Sequence, residues 1–332
     1  MIGAVSNSEV FRQALRLVGK DVNLLNRLIY SHLRSDVPLV GRVAQYLLNS
    51  GGKRIRPMLL MLVARALGCA PGGPQVRAGV IVEYIHSATL LHDDVVDEAE
   101  LRRGKSAANV LHGPAASVLV GDFLYSRAFQ LIVELLEERR AVEVLASTTN
   151  QIAEGEVMQL MNLNQLAVTE EQYLEVIKRK TASLFEACAR IGAILAHSDR
   201  NIENAAARYG LELGMAYQIT DDVLDYSGGE EAFGKNVGTD LKEGKTTLPL
   251  LHAMQVGSPA QQTVLRNALR SRGLGNLSGV MEAIQSTGAL KYAAGRAKEA
   301  SERAVDALSA LPENRFRDVL TSLARFAAER GY

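Results

Sequence analysis

The apolar residues of this chain recur with the spacing of an α-helix over long segments. Residues 80–101 (VIVEYIHSATLLHDDVVDEAEL) and 117–138 (SVLVGDFLYSRAFQLIVELLEE) are clear examples. Residues three and four apart share one face of a helix, so this spacing predicts helices that bury one side in a core. Alternating, β-branched runs are scarce. The pattern therefore predicts an all-α fold.

Glycine, proline and small polar residues interrupt the helical pattern at four places. The breaks are NSGGK (49–53), CAPGGPQ (69–75), LHGPAAS (111–117) and YSGGEEAFGKNVGTDLKEGK (226–245). We expect these segments to be loops, because none is long enough, or rich enough in Ser and Pro, to act as a linker between domains. We expect roughly a dozen helices packed as one large bundle, a single domain over residues 1–332.

Composition and charge narrow the functional classes. Hydrophobic residues are 47% and charged residues 22% of the 332, which is typical of a globular protein with a sizeable core. The chain has 37 basic and 37 acidic residues, and this balance argues against a nucleic-acid partner. Its two cysteines, Cys69 and Cys188, are too few for a disulfide framework or a zinc cluster. We expect free thiols in a reducing, cytoplasmic compartment.

The N-terminal residues and the apolar segments give no sign of membrane insertion. MIGAVSNSEVFRQALRLVGK lacks the basic start and the apolar block of a signal peptide. No uninterrupted apolar run approaches the ~20 residues that span a bilayer. We expect no membrane span and leave peripheral membrane contact open.

An acidic motif, Asp-Asp-x-x-Asp, occurs twice, each time near the end of a long apolar segment. Its members are Asp93, Asp94 and Asp97 in LLHDDVVDEAE, and Asp221, Asp222 and Asp225 in QITDDVLDYSG. Like charges on one helix face repel, and the helix C-terminus disfavours anions, so a compensating cation is expected. Carboxylates suit Mg²⁺, which shares its remaining positions with water and substrate phosphates. The motifs predict a magnesium-bridged diphosphate; a solvated helix end is the alternative for either motif alone.

Two basic elements accompany the first acidic motif. GGKRIRP (51–57) contains Lys53 and Arg56 after a flexible Gly-Gly, and Arg102 and Arg103 follow the aspartates directly. A guanidinium can bind phosphate oxygens bidentately, so we interpret both elements as anion sites. A surface basic cluster is the alternative for the first element. The alternative for the second is pairing with Asp97, Glu98 or Glu100.

Five segments together resemble the trans-isoprenyl diphosphate synthase family. They are GGKRIRP, HDDVVDEAELRRG (92–104), KTA (180–182), QITDDVLDYSG (218–228) and GKNVGTDLKEGKTTLP (234–249). The resemblance implies an isoprenoid synthase fold, in which one helical bundle surrounds a deep central cavity with both aspartate motifs at its mouth. It also implies a Mg²⁺-dependent prenyltransferase. An allylic diphosphate ionises, isopentenyl diphosphate attacks the allylic carbon, and loss of a proton leaves a product five carbons longer.

The resemblance carries roles over to individual residues. Direct Mg²⁺ ligands are implied to be Asp93, Asp97 and Asp221, and nearby or water-mediated partners Asp94, Asp222 and Asp225. The allylic diphosphate is implied to be held by Arg102, Lys180 and Lys235. Isopentenyl diphosphate is implied to be held by Lys53, Arg56, His86 and Arg103. The catalytic residues are implied to be Lys180, Thr181 and Gln218, the last two near the developing cation; an ordinary helix hydroxyl and a core amide are the alternatives for these two.

The residues before the first acidic motif bear on product length. Shorter-chain relatives resemble each other in aromatic residues at the positions of Ala88 and Thr89, or in an insertion within the motif, and this chain has neither. The resemblance thus favours a long product of about eight isoprene units, an octaprenyl diphosphate, built on a primer such as farnesyl diphosphate. The floor of the tunnel is expected near Phe129 or Ile132. Ala88 as a simple helix contact, and a farnesyl or geranylgeranyl product, are the alternatives.

Other functional classes fit less well. Terpene cyclases usually need an aromatic cavity, and this chain has 5% aromatic residues and no Trp. A regulatory subunit of a synthase should have lost part of a motif, whereas both motifs are complete. Glu83 and His86 have the spacing of a di-iron ligand pair, but such a site needs two pairs.

The resemblance also implies a homodimer. The apolar segment 117–138 is a candidate interface, with intramolecular core as an equal alternative. A quinone side chain is the expected use of the product. The sequence leaves open the final proton acceptor and the role of Arg330.

Overall fold

The computed structural model describes residues 9–135, 137–227, 238–272 and 276–330, most of which are helical. The helices are α1 (Glu9–His32), α2 (Pro38–Asn49), α3 (Ile55–Ala66), α4 (Pro74–Val96), α5 (Ala108–His112), α6 (Pro114–Leu135), α7 (Arg139–Asn162), α8 (Glu170–Ile177), a π-helix (Lys178–Ala182), α9 (Ser183–Leu195), α10 (Arg200–Asp225), α11 (Thr239–Lys242), α12 (Leu248–Val256), α13 (Pro259–Arg270), α14 (Leu277–Ser286), α15 (Ala289–Ala307), a 3₁₀ turn (Leu308–Ala310) and α16 (Arg315–Glu329). The predicted all-α class is confirmed.

The chain divides into two compact units. Unit 1 comprises Met1–Thr149, Ala187–Ala207 and Ala310–Leu320. Unit 2 comprises Asn150–Glu186, Arg208–Ser309 and Thr321–Tyr332. The single domain over residues 1–332 stays a prediction.

Helix α4 is the central helix of unit 1. It begins with Pro74, whose fixed φ suits the first helical turn, and it packs against α1, α3 and α6. Side chains on every face of α4 are buried, so this helix needs apolar residues all round and lacks a polar stripe. The buried Tyr84 hydroxyl donates to the Ile29 carbonyl at 2.6 Å and ties α4 to α1. The first acidic motif thus lies at the C-terminal end of a firmly held helix.

A short hairpin follows α4. Strands β1 (Leu101–Arg102) and β2 (Lys105–Ser106) pair antiparallel, with Arg102 opposite Lys105. Arg103 and Gly104 form the two-residue turn, and both have positive φ, 55° and 77°. That is the geometry of the tight turns whose twist matches paired strands, and glycine adopts it without steric cost. The sequence pattern did not predict this hairpin.

Unit 2 is organised around α10 and α12. Ile177, Ile219, Val223 and Leu248 belong to one buried cluster, while Tyr226 and Leu250 belong to a second. These apolar side chains position the C-terminal half of α10, which carries the second acidic motif.

Two sequence expectations need correction. Residues 111–117 and 226–245 were expected to be loops, but α5 ends at His112, α6 begins at Pro114, and α11 forms within the later segment. These short helices raise the number of helical segments above the expected dozen; they are too short to be stable alone and depend on tertiary packing.

Helix α6 bears on the membrane prediction. Among the described residues, Pro114–Glu134 is long and apolar enough to cross a membrane, by length and composition alone. A core helix of a soluble protein passes the same test. The expectation of no membrane span therefore stays a prediction.

Candidate active site

In unit 1, the first acidic motif ends α4 and contacts the hairpin. The Asp97 amide donates to the Asp93 carbonyl at 2.8 Å and closes the last turn, and both side chains are partly exposed. Asp94 is fully buried, and Arg102 Nε donates to its Oδ1 at 2.5 Å. Burial raises the pKa of Asp94, against the opposing effect of Arg102. Arg102 thus pairs with Asp94, which was not among the partners considered from the sequence (Asp97, Glu98 and Glu100).

The second oxygen of Asp94 has a different environment. Oδ2 is buried and has no hydrogen-bond partner among the described residues. A buried carboxylate oxygen without a donor is costly, and a nearby cation or a metal-bound water would satisfy it.

A cluster of guanidinium groups surrounds His86, eight residues before Asp94 on α4. Arg56 Nη1 lies 3.1 Å from His86 Nε2, and because arginine only donates, this nitrogen accepts and the imidazole is neutral. Burial lowers the pKa of His86 well below its ordinary value, and the positive charges of Arg56, Arg103, Arg102 and Arg54 lower it further. So many cations around one neutral ring form a site suited to an anion with several negative charges.

The loop before α3 and the turn of the hairpin meet at Gly52. A Cβ at this position would lie 2.9 Å from Arg103 Nη1, so a larger residue would displace the guanidinium from its present position. The Lys53 ammonium lies over the Phe11 ring, 5.0 Å from its centroid. The structure thus places Arg56 beside His86, and the charges of Arg102 and Arg103 also act on this imidazole, with Lys53 on the same loop as Arg56. The diphosphate-binding roles of these residues stay predictions.

Arg54 is a residue that the sequence reasoning missed. It has a left-handed backbone, with φ 49°, and its guanidinium contacts Glu83 of α4 and donates to the Leu48 carbonyl at 3.2 Å. The contact ties the GGKR loop to α4 one helical turn before His86. The carboxylate of Glu83 is thus used in an ion pair with Arg54. In the described residues, no group of three or more His, Cys, Asp or Glu is arranged to hold a metal by itself.

The residues assigned to product length lie on α4 and α6. Ala88 is completely buried, and the Thr89 hydroxyl donates to the His86 carbonyl at 2.8 Å. Of the two floor candidates, Ile132 is buried, whereas Phe129 is 46% exposed in the single chain. Ile132 is the better candidate, because a tunnel floor has to be inside the protein.

In unit 2, Lys180 and Thr181 lie in the π-helix Lys178–Ala182. Such segments occur often at functional sites. Two glycines allow neighbouring helices to approach it: a Cβ on Gly155 of α7 would lie 2.6 Å from the Lys180 amide nitrogen, and one on Gly214 of α10 would lie 2.6 Å from the Ala182 Cα. The Lys180 ammonium pairs with Glu156 at 2.5 Å.

A chain of hydrogen bonds joins the π-helix to the second acidic motif. The Thr181 hydroxyl donates to Gln218 Oε1 at 3.0 Å, and Gln218 Nε2 donates to Asp222 Oδ1 at 2.8 Å. The Tyr173 hydroxyl donates to Asp222 Oδ2 at 2.6 Å. All four side chains line one pocket, together with Lys180, Asp240 and Lys245.

Three carboxylates with raised pKa values lie in or beside this pocket. Burial raises the pKa of Asp222 to about 7, although Tyr173 and Gln218 oppose the shift by donating hydrogen bonds. Burial likewise raises the pKa of Asp225 to about 6. Burial and the charges of Asp222 and Asp225 hold the pKa of Asp240 well above its ordinary range. Asp225 accepts from the backbone N–H groups of Thr239 and Asp240, both at 3.1 Å. A divalent cation would relieve the repulsion among these carboxylates.

Asp240, Lys245 and Tyr173 were not singled out from the sequence. Asp240 and Lys245 lie in the segment GKNVGTDLKEGKTTLP, so the motif itself held the signal. Tyr173 had no such signal. Lys235, predicted to hold the allylic diphosphate, lies outside the described residues.

The last predicted metal ligand, Asp221, is paired with the end of α16. Arg330 Nη2 lies 2.7 Å from Asp221 Oδ1 and donates to the Tyr217 carbonyl at 2.5 Å. Its guanidinium also lies over the Tyr217 ring, 3.3 Å from the centroid. A side-chain cation thus neutralises the carboxylate that was assigned to magnesium.

Comparison with known proteins agrees with these features. Residues 37–286 match the family model described as polyprenyl synthetase. The octaprenyl diphosphate synthase of Escherichia coli is 47% identical over 315 residues, 95% of this chain and 97% of the relative. That of Haemophilus influenzae is 46% identical over 318 residues, 96% of each. A crystal structure of polyprenyl synthase from Caulobacter crescentus CB15, complexed with calcium and isoprenyl diphosphate, is 42% identical with a TM-score of 0.90, covering 96% of this chain and 98% of that one. This chain therefore belongs to the polyprenyl synthetase family and has its all-α isoprenoid synthase fold.

Proposed function

We propose that this protein is a long-chain trans-polyprenyl diphosphate synthase. It adds isopentenyl diphosphate head to tail onto an allylic diphosphate such as farnesyl diphosphate, and octaprenyl diphosphate is the proposed product. The observation that carries the proposal is the cluster around His86. The charges of four guanidinium groups act on His86, and one of them, Arg102, also contacts the buried carboxylate of Asp94. Cations for a diphosphate and carboxylates for a metal thus adjoin each other.

The residues of unit 1 bind and orient isopentenyl diphosphate in this proposal. Arg56 and Arg103 donate to its phosphate oxygens, with Lys53 of the same loop as a further cation. His86 accepts from Arg56 in the free chain, and a bound dianion would raise its pKa and turn it into a donor. Arg102 can then turn from Asp94 to the allylic diphosphate.

Magnesium fits the acidic residues of both motifs. Asp93 and Asp97 would hold it at the first motif, with Asp94 close by, and Asp221 would hold it at the second motif, with Asp222 and Asp225 close by. Few carboxylates are needed because Mg²⁺ keeps water and substrate oxygens as ligands. The orphaned Asp94 Oδ2 and the raised pKa values of Asp222 and Asp225 support a cation at each motif. When bound, the ion supplies charge neutralisation that makes diphosphate a better leaving group.

The residues of unit 2 act on the allylic substrate. Lys180 exchanges Glu156 for diphosphate oxygens and stabilises the charge that develops as the carbon–oxygen bond breaks. The electron pair of that bond leaves with the diphosphate, and the double bond of isopentenyl diphosphate then forms the new carbon–carbon bond. Thr181 and Gln218 present oxygen dipoles toward the cation. Loss of a proton to an acceptor such as the departing diphosphate restores the double bond.

A long product is favoured over a farnesyl or geranylgeranyl product. Ala88 and Thr89 are small residues on α4, and two octaprenyl diphosphate synthases align with this chain over nearly its whole length. The regulatory-subunit alternative is disfavoured, because both acidic motifs and the cations around His86 are complete.

We also propose a cytoplasmic homodimer that supplies a quinone side chain. Helix α6 exposes apolar side chains on one chain alone, among them Leu119, Phe129 and Val133. A second copy of the chain would cover these side chains.

The test is product analysis by reversed-phase chromatography, with farnesyl diphosphate, labelled isopentenyl diphosphate and Mg²⁺. We expect a product of about eight isoprene units, loss of turnover on chelation, and recovery with added Mg²⁺. Asp97→Asn and Asp221→Asn should each lower kcat strongly, whereas Asp36→Asn, at an exposed site, should not. A chain that never consumes isopentenyl diphosphate would contradict the function, and a product ending at fifteen or twenty carbons would contradict its length.

A further inference from the structure

Tyr173 reaches the second acidic motif from a different helix. It belongs to α8, seven residues before Lys180, and its hydroxyl donates to Asp222 Oδ2 at 2.6 Å. Its ring packs in the buried cluster with Ile177, Ile219 and Val223. Apolar contacts therefore hold the ring, while the hydroxyl forms a hydrogen bond with Asp222 at the pocket.

The hydrogen bonds of Asp222 decide how the amide of Gln218 points. The ionised form of Asp222 only accepts, so in that form the group that faces its Oδ1 at 2.8 Å is the Nε2 donor. The carbonyl oxygen of Gln218 then faces the Thr181 hydroxyl at 3.0 Å. A flipped amide would place its carbonyl oxygen against Asp222, where two acceptors repel each other. The orientation of Gln218 thus depends on a carboxylate held in one position.

We propose that Tyr173 is a positioning residue for the condensation: it fixes the carboxylate of Asp222, and through it directs the carbonyl oxygen of Gln218 to the pocket wall beside Thr181. The role rests on the proposed function, because that oxygen matters only where a cation develops. Its partial negative charge is preorganised there before the carbon–oxygen bond breaks. Without the Tyr173 hydroxyl, Asp222 can rotate and Gln218 loses its fixed orientation.

The test is Tyr173→Phe, which keeps the ring and removes only the hydroxyl. We expect kcat to fall about 10- to 100-fold, the range typical for losing a residue that orients a functional group. The KM for isopentenyl diphosphate should change less than about twofold, because the residues proposed to bind it belong to unit 1. An unchanged kcat would overturn the proposal.

Tyr84→Phe is the matched control. Tyr84 is also fully buried and its hydroxyl also donates a 2.6 Å hydrogen bond, but to the Ile29 carbonyl. Both variants should lose similar thermal stability, and only Tyr173→Phe should lose kcat. An equal loss of kcat in both would mean a general structural effect and would overturn the role.

A double-mutant cycle tests whether Tyr173 acts through Gln218. In a Gln218→Ala background, adding Tyr173→Phe should lower kcat by less than about twofold further, because no carbonyl oxygen is left to direct. Full multiplication of the two losses would overturn the proposed route. Absence of turnover by the wild-type chain would overturn the function and this role together, whereas normal wild-type turnover with unchanged Tyr173→Phe would overturn the role alone.

Discussion

Arg330, the last described residue, forms an ion pair with Asp221 of the second acidic motif, with 2.7 Å between Nη2 and Oδ1. The two residues are far apart in sequence, and α16 brings them together within unit 2. The guanidinium is only 10% exposed and is further held by the Tyr217 ring and carbonyl. It therefore competes with any metal for Asp221.

Replacing Arg330 by Ala should make metal binding easier. The ion pair must break before Mg²⁺ binds Asp221, and exposed pairs contribute about 0.2–1 kcal/mol, so the half-saturating Mg²⁺ concentration should fall about 1.4- to fivefold. Mg²⁺ titration of the initial rate measures this. Arg325→Ala removes the same charge from an exposed position of α16 and should have little effect. A higher Mg²⁺ requirement in Arg330→Ala would contradict the competition.

Replacing Gly214 by Ala should destabilise the π-helix. The new Cβ would lie 2.6 Å from the Ala182 Cα and 2.9 Å from its Cβ, so backbone has to shift. Overpacking of this kind costs about 1–3 kcal/mol, and displacement of Thr181 should also lower kcat. Urea unfolding and the initial rate are the measurements.

Gly295 of α15 provides the control for Gly214. A Cβ there would meet nothing within 4 Å, so Gly295→Ala should raise the free energy of unfolding by about 0.5–1 kcal/mol through helix propensity. Equal effects of the two substitutions would show that close approach to the π-helix is unimportant.

His86 should make the free chain less stable in acid. Its pKa in the folded chain is lowered well below the ordinary value of 6.5, so as the pH falls the unfolded chain gains this proton before the folded chain does. The free energy of unfolding contributed by this group is thus fully present above about pH 6.5 and falls as the pH drops below it. His86→Gln should remove this part of the pH dependence in urea unfolding. His197 is exposed and provides the control, because His197→Gln should retain this pH dependence. Identical pH profiles for wild type and His86→Gln would contradict the assignment of the pH dependence to His86.

The product-length hypothesis predicts a graded effect at Ala88. This residue is fully buried, so larger side chains narrow the space beside α4. The series Ala88→Val, Ala88→Leu and Ala88→Phe should give progressively shorter products, with Phe the shortest. Chromatography of the products measures chain length, and circular dichroism checks folding. A well-folded Ala88→Phe variant that still makes the wild-type product would rule out a tunnel past this position.

The sequence by itself determined the all-α class, both acidic motifs near the ends of α4 and α10, and the family. These features depend on the local spacing and the types of residues, both of which can be read directly from the sequence. The family resemblance also implied that Arg56, His86 and Arg103 hold one diphosphate; the structure places Arg56 beside His86 and the charge of Arg103 near it, and the shared role stays a prediction.

Only the tertiary structure decided which side chains pair. Arg102 contacts Asp94, a partner that the sequence did not indicate, because the tight turn at Arg103 and Gly104 folds the hairpin back toward the end of α4. Tyr173 meets Asp222, and Arg330 meets Asp221, because packed helices bring distant residues within hydrogen-bonding distance. No periodicity along the chain records such contacts, since they depend on how buried apolar faces fit against one another.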